Sequence, residues 1–137
     1  MPAEYTDEPC PKAGPVTIET RKPFGPMPGA FSSTGAFAES GTVQNSSLIL
    51  EHLDAPDFVT VHITQRFDGA HGTFTLRASI TETATEDPNV LADDGTWMII
   101  DGTGAYETLQ GRGRVTGTAD DNRDLISRTY SGTVRCA

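Results

Sequence analysis

The chain reads as all-β, a single eight-stranded antiparallel barrel, and three observations carry that reading. No segment sustains the apolar period of an amphipathic helix. Thr and Val recur in short runs that alternate apolar with polar side chains, as a half-buried strand requires. Clusters of Gly, Pro, Asp and Asn interrupt those runs at roughly eight- to twelve-residue intervals, the spacing of sandwiches and barrels. A barrel is preferred because closure removes the edges that long Thr-rich strands would expose. About eight such strands enclose an interior just wide enough for side chains or one small ligand.

The elements follow in order. Residues 1–14, acidic and proline-rich, read as a flexible N-terminal arm, leaving 15–137 as the one barrel domain. Residues 16–21 form a first strand. The next stretch, KPFGPMPGAF, cannot be regular because of its prolines and glycines, yet Phe24, Met27 and Phe31 need burial. It reads either as a lid over a cavity mouth or as a surface crossing pinned by hydrophobic contacts. Residues 34–45 look like a strand pair broken at Ser40-Gly41, and 48–53 like a further strand. Strand 58–67 turns at Asp68-Gly69-Ala70 into strand 72–83. There Phe74, Leu76, Ala78 and Ile80 alternate with Thr73, Thr75, Arg77, Ser79 and Thr81. A long loop beginning at Glu86 ends at Asp94-Gly95. Strands 96–100, 111–118 and 125–135 complete the set, with a turn at Asp120-Asp121-Asn122.

The stretch Trp97 to Thr118, WMIIDGTGAYETLQGRGRVTGT, is the most distinctive. Its glycines permit positive φ or close chain approach, and Thr103 can bond locally to the backbone. Tyr106 and Leu109 then return to the core. The motif does not suit a phosphate cradle, since no helical pattern and no lysine follow it. A hydrophobic strand followed by Gly102-Thr103-Gly104, Tyr106, Gly111 and Gly113 resembles the corresponding region of allene oxide cyclases and dirigent proteins. Beyond that region the likeness is one of general layout. The resemblance implies a calycin-like eight-stranded barrel that needs no cofactor and folds a flexible apolar molecule to steer its cyclisation. Small bacterial barrels of this kind include cyclases of polyketide pathways. Dimers and trimers are common among them, so a homo-oligomer is implied too. No catalytic residue of the plant enzymes maps onto this chain.

Charge and cysteines narrow the partners. A net charge of −9 disfavours nucleic acid and anionic membrane. No apolar run is long enough to span a bilayer as a helix, and the N-terminus lacks the features of a secretion signal. The chain as written is therefore expected in the cytoplasm, the alternative being secretion with a signal removed. The two cysteines, Cys10 and Cys136, either form a disulfide or remain as two thiols. In the loop-entropy account that bridge would add roughly 4–5 kcal/mol, less strain. The three histidines, His52, His62 and His71, are scattered and complete no metal site with the cysteines. The aspartates cluster in turns without a calcium-loop pattern.

If the barrel is hollow, the inward faces of its strands hold the site. Gln65 lies on the face of Val59, Val61, Ile63 and Phe67, while Glu82 ends the inward set of its strand. Arg128 shares a face with Ile126, Tyr130 and Val134. These four polar groups, Gln65, Glu82, Arg128 and Tyr130, are the candidates for holding a substrate carbonyl or enolate. A Glu82–Arg128 pair is one way to satisfy them; placement at strand ends in water is the other. The expected apolar wall comprises Val61, Ile63, Phe74, Leu76 and Trp97, with Phe24, Met27 and Phe31 from the lid. Trp97 can stack on a ligand there, but a tryptophan beside such a turn is more often a core plug at the barrel's end. Gly113, Val115 and Gly117 leave volume for a ligand or a facing aromatic. His62 is read as outward and solvent-exposed, with no hydrolytic triad in view. The function expected is a cofactor-independent cyclase or isomerase acting on a small hydrophobic, polyketide-like intermediate. The alternatives are a non-catalytic barrel binding an apolar molecule and a secreted structural barrel.

Overall fold

The computed structural model describes residues 11–55 and 57–137. Its strands are β1 (Gly14–Lys22), β2 (Gly29–Gly35), β3 (Ser40–Glu51), β4 (Phe58–Gly69), β5 (Gly72–Ala84), β6 (Val90–Gly102), β7 (Leu109–Asp120) and β8 (Leu125–Cys136). A 3₁₀ turn, Gly104–Tyr106, joins β6 to β7. Every strand pairs antiparallel with its chain neighbour, and β8 returns to β1, so the eight strands close into a barrel. The arm expected over 1–14 falls mostly outside the described residues, and β1 already begins at Gly14.

Several boundaries differ from the sequence reading, each for a physical reason. The break expected at Ser40-Gly41 lies at residues 36–39, and β3 then runs unbroken to Glu51. It absorbs one extra residue as a register shift between Asn45 and Ser47, which had looked like the gap between two strands. Residues 90–95, expected in a loop, are the first half of β6. Asp93 and Asp94 pair with Glu82 and Thr81 of β5 and with Gly117 and Thr116 of β7. With neighbours on both sides, ladder pairing overrides the turn preference of Asp and Gly. The hairpin after β4 sits one residue later than expected, at Ala70-His71.

Alternation of side chains divides the interior into two halves. Toward the β4–β5 turn the barrel is solid. Phe67 and Phe74 stack at 4.7 Å, and Phe31 meets both edge-on at 5.1 and 5.8 Å. Phe37 and Tyr106 extend the cluster, each within 5.5 Å of Phe74. Such pairs add about 0.5–1.5 kcal/mol each beyond their burial. Trp97 lies in the middle of the barrel, cross-strand from Gly113, which itself faces Gly132. A Cβ on Gly113 would fall 1.9 Å from the Ser131 carbonyl, so only glycine lets β7 and β8 approach this closely. The indole N–H donates to the carbonyls of Arg114 and Ser131 at 2.9 and 3.3 Å.

The solid end is sealed by one buried carboxylate. Glu39 accepts from the backbone N–H of Ser40, Ala70 and His71, from His71 Nδ1 at 2.9 Å and from the Tyr106 hydroxyl at 2.7 Å. Burial pushes its pKa upward, but these donors outweigh burial and hold it below the usual carboxylate value. Gly69 makes room for it, since a Cβ there would overlap the Glu39 side chain at 2.4 Å.

Candidate functional site

The opposite half of the barrel is hollow. A chamber of about 450 Å³ opens beside the β1–β2 connection, where Phe24, Gly25 and Pro26 line it. Its apolar wall is made by Leu48 and Leu50 of β3, Val61 and Ile63 of β4, Ala119 of β7 and Ile126 of β8. The bulge in β3 turns Asn45, Ser46 and Ser47 toward this wall. Thr20, Lys22, Gln65, Glu82 and Arg128 supply the remaining polar surface.

Two connected polar groupings mark the chamber. At its floor, Tyr130 donates its hydroxyl to Gln65 Oε1, and Gln65 Nε2 donates to Asn45 Oδ1 at 3.0 Å. Tyr130 is fully buried and does not line the chamber, so it acts on the floor through Gln65. Burial raises its pKa, against the opposing pull of Arg128. On the wall, Arg128 Nε donates to Asp93 Oδ2 at 2.8 Å, while its Nη2 lies 3.7 Å from Glu82 Oε2. Gly117 lies beside the Arg128 stem, and a Cβ there would come within 3.0 Å of Arg128 Cγ.

Glu82 is the chemically unusual group. Its pKa is pushed up to about 8, first by burial, then by the hydrogen bond and charge of Asp93, with Arg128 pulling the other way. Asp93 Oδ1 is the one buried side-chain atom among the described residues with no fixed hydrogen-bond donor. Glu82 faces Asp93 directly across the β5–β6 ladder. A proton held on Glu82 and donated to Asp93 satisfies both observations. Glu82 therefore presents a protonated carboxyl at neutral pH on the surface of an apolar chamber.

The structure thus brings all four polar candidates to one half of the barrel, and the expected partners Glu82 and Arg128 lie side by side, 3.7 Å apart. The closer partner of Arg128 is nevertheless Asp93, which the sequence reading had left among turn aspartates. Of the expected apolar wall, Val61, Ile63 and Phe24 line the chamber. Phe74, Leu76, Trp97 and Phe31 do not: they are buried in the solid half and the barrel's middle. Phe31 belongs to β2 and not to a lid, and Met27 is 62 % exposed. The loop between β1 and β2 is held down instead by the Phe24 N–H, which donates to Asp124 Oδ1 at 3.1 Å. Three site groups were missed. Lys22 continues the inward face of β1 one residue beyond the strand end assigned from sequence, and Asp93 lies three residues before the start assigned to β6. Asn45 was hidden by the bulge.

His62 faces outward, as expected, but it is not isolated. Its Nδ1 lies 3.1 Å from Ser79 Oγ and its Nε2 2.5 Å from Glu51 Oε1. This Ser–His–Glu line sits on a wall whose strands are paired on both sides, so their amides are spent in the ladder and form no oxyanion hole. Among the described residues no group of three or more His, Cys, Asp or Glu is placed to hold a metal ion. No helix among them is long and apolar enough to cross a membrane. Cys136 is disulfide-bonded, whereas Cys10 lies outside the described residues.

Fold and site together define a closed antiparallel β-barrel with one plugged end and one chamber carrying a protonated carboxyl. Comparison with protein-family models, curated proteins and solved structures found no match for the chain.

Proposed function

We propose that the protein is a cofactor-independent cyclase or isomerase that folds a small hydrophobic carbonyl compound inside the chamber. The observation that carries this reading is Glu82, a carboxyl whose pKa of about 8 matches acid catalysis near neutrality, set beside Arg128 in a chamber with a continuous apolar wall. Glu82 turns its proton from Asp93 to a substrate carbonyl oxygen as the new bond forms or the double bond moves, and it recovers a proton from the one the substrate's reacting carbon or hydroxyl gives up, so none is consumed. Asp93 stands behind it, positioned by Arg128, and receives no substrate contact. Gln65 presents its amide on the chamber floor to orient a second oxygen, while the apolar wall enforces the folded shape of the chain. Orientation of that kind lowers a barrier by several kcal/mol without a strong base. The likeness of residues 102–113 to the glycine motif of allene oxide cyclases and dirigent proteins supports the same reading.

The test is turnover of flexible poly-carbonyl compounds by wild type, Glu82→Gln and Gln65→Leu. Glu82→Gln should lower kcat by roughly 10²-fold or more, and Gln65→Leu should spoil product selectivity while the fold persists. Equal product ratios with and without protein would remove the enzyme reading. A second reading, a non-catalytic carrier, is favoured by the way Tyr130, Gln65 and Asn45 already satisfy one another. It predicts saturable binding with no change in the ligand. The disulfide at Cys136 supports an oxidising compartment, hence the secreted alternative over the cytoplasm.

A further inference from the structure

We infer that the chamber takes an apolar carboxylate, with the carboxylate seated on Lys22 at the mouth and the hydrocarbon body against the wall. The inference rests on the reading of the chamber as a ligand site. Lys22 closes β1 and is only 3 % exposed, yet it lines the chamber. Its ammonium donates to the carbonyls of Pro23 and Gly25, both neutral groups of the β1–β2 loop. Among the described residues no carboxylate forms an ion pair with it. An ammonium has three donors, so the chamber is left with the third.

Every nearby carboxylate is committed elsewhere. Asp93 belongs to Arg128. Glu82 is protonated up to about pH 8. Asp124 attracts Lys22 from a distance, but its Oδ1 accepts from the Phe24 N–H. Burial, then the neighbouring Arg128, depresses the Lys22 pKa, with Asp124 pulling the other way. Buried charges in proteins are ordinarily paired. Lys22 has only the more distant charge of Asp124 set against its own, and no carboxylate among the described residues within ion-pair reach. A ligand carboxylate supplies the ion-pair partner that the ammonium lacks. A neutral ligand leaves the ammonium unpaired, and a cation is repelled by it. The apolar remainder of the wall then selects a hydrocarbon body behind the head group.

Isothermal titration of the full chain with dodecanoate, dodecanol and dodecyltrimethylammonium, each below its micelle concentration, tests this. Dodecanoate is expected to bind at least tenfold more tightly than dodecanol, and the ammonium compound not at all. Lys22→Met should erase the preference of dodecanoate over dodecanol, and Lys22→Arg should keep it. Ile63→Trp, which fills the chamber, should abolish binding of both. Equal affinity for dodecanoate and dodecanol in the wild type would overturn the carboxylate inference and leave the chamber standing as a ligand site. Absence of binding by all three, or binding that survives Ile63→Trp, would overturn the chamber reading and the inference with it.

Discussion

A carboxyl group at the end of an apolar strand face must find water or a partner, and Glu82 finds Asp93 across one ladder rung. The consequence is a measurable dependence of stability on pH. In the unfolded chain Glu82 loses its proton near 4.5, whereas in the folded barrel it keeps it to about 8. Between those values the native state binds the extra proton. The stability Glu82 contributes is therefore complete below about 4.5 and is lost as pH rises through about 8. The charged groups facing it are Asp93 on β6 and Arg128 on β8. Thermal melts across this interval should show Tm falling with pH in the wild type and a flatter profile in Glu82→Gln. An undiminished slope in the variant would place the titration on another group. Gln65 offers a second test at this scale. Tyr130→Phe removes the donor to Gln65 Oε1 and should cost about 1–3 kcal/mol in urea melts, with the barrel otherwise intact.

Among the elements, the connections at the plugged end depend on one another through Glu39. The β2–β3 link supplies the carboxylate, the β4–β5 turn supplies amides of Ala70 and His71, and the 3₁₀ turn supplies Tyr106. Glu39→Ala leaves those donors buried without an acceptor, a loss on the order of 3 kcal/mol. Because the Glu39 pKa is lowered in the native state, its contribution exists above the ordinary carboxylate value and disappears as pH falls through the depressed one. Stability of the wild type should thus fall steeply as pH drops through that range, and Glu39→Gln should show a flatter acid limb. Trp97 separates the two halves in a different way. Trp97→Ala should cost about 3–5 kcal/mol yet leave ligand affinity unchanged, because the indole packs between β7 and β8 and not on the chamber. A large affinity loss in a folded Trp97→Ala protein would return the tryptophan to the ligand site.

For the whole molecule, the barrel was legible because its evidence is periodic. The alternation of β5 and the inward set of β4 are visible residue by residue, and closure follows from the number of strands. The chamber was legible only in part. Gln65, Glu82, Arg128 and Tyr130 stand out as polar residues on apolar faces, and that criterion needs no tertiary information. Which of two apolar halves is filled does depend on tertiary packing: Phe74 and Val61 look alike in sequence, and only the meeting of Phe31, Phe37, Phe67 and Tyr106 decides that one is plug and the other wall. Asp93 was lost because Asp-Asp-Gly reads as turn chemistry until two neighbouring strands claim its backbone. The division into halves predicts a gradient in amide hydrogen exchange. Residues 67, 74 and 99 should exchange near the global unfolding limit, and the strand ends around 48–51 and 82–84 faster. Addition of a chamber ligand should slow the second group alone.

The seam between β1 and β8, where Gly14 meets Val134, has a consequence for how the chain is made. Until the last strand leaves the ribosome, β1 and β7 are bare edges, and the growing protein is an open, curling sheet with its future interior exposed. Closing it is a long-range event of the kind that slows β proteins and invites edge-to-edge association. The same seam holds residues 14 and 134 side by side. Joining them through a short linker and cutting the chain in the turn at 86–89 should yield a permuted barrel whose seam forms early in synthesis, and the order in which the strands arrive would become an experimental variable.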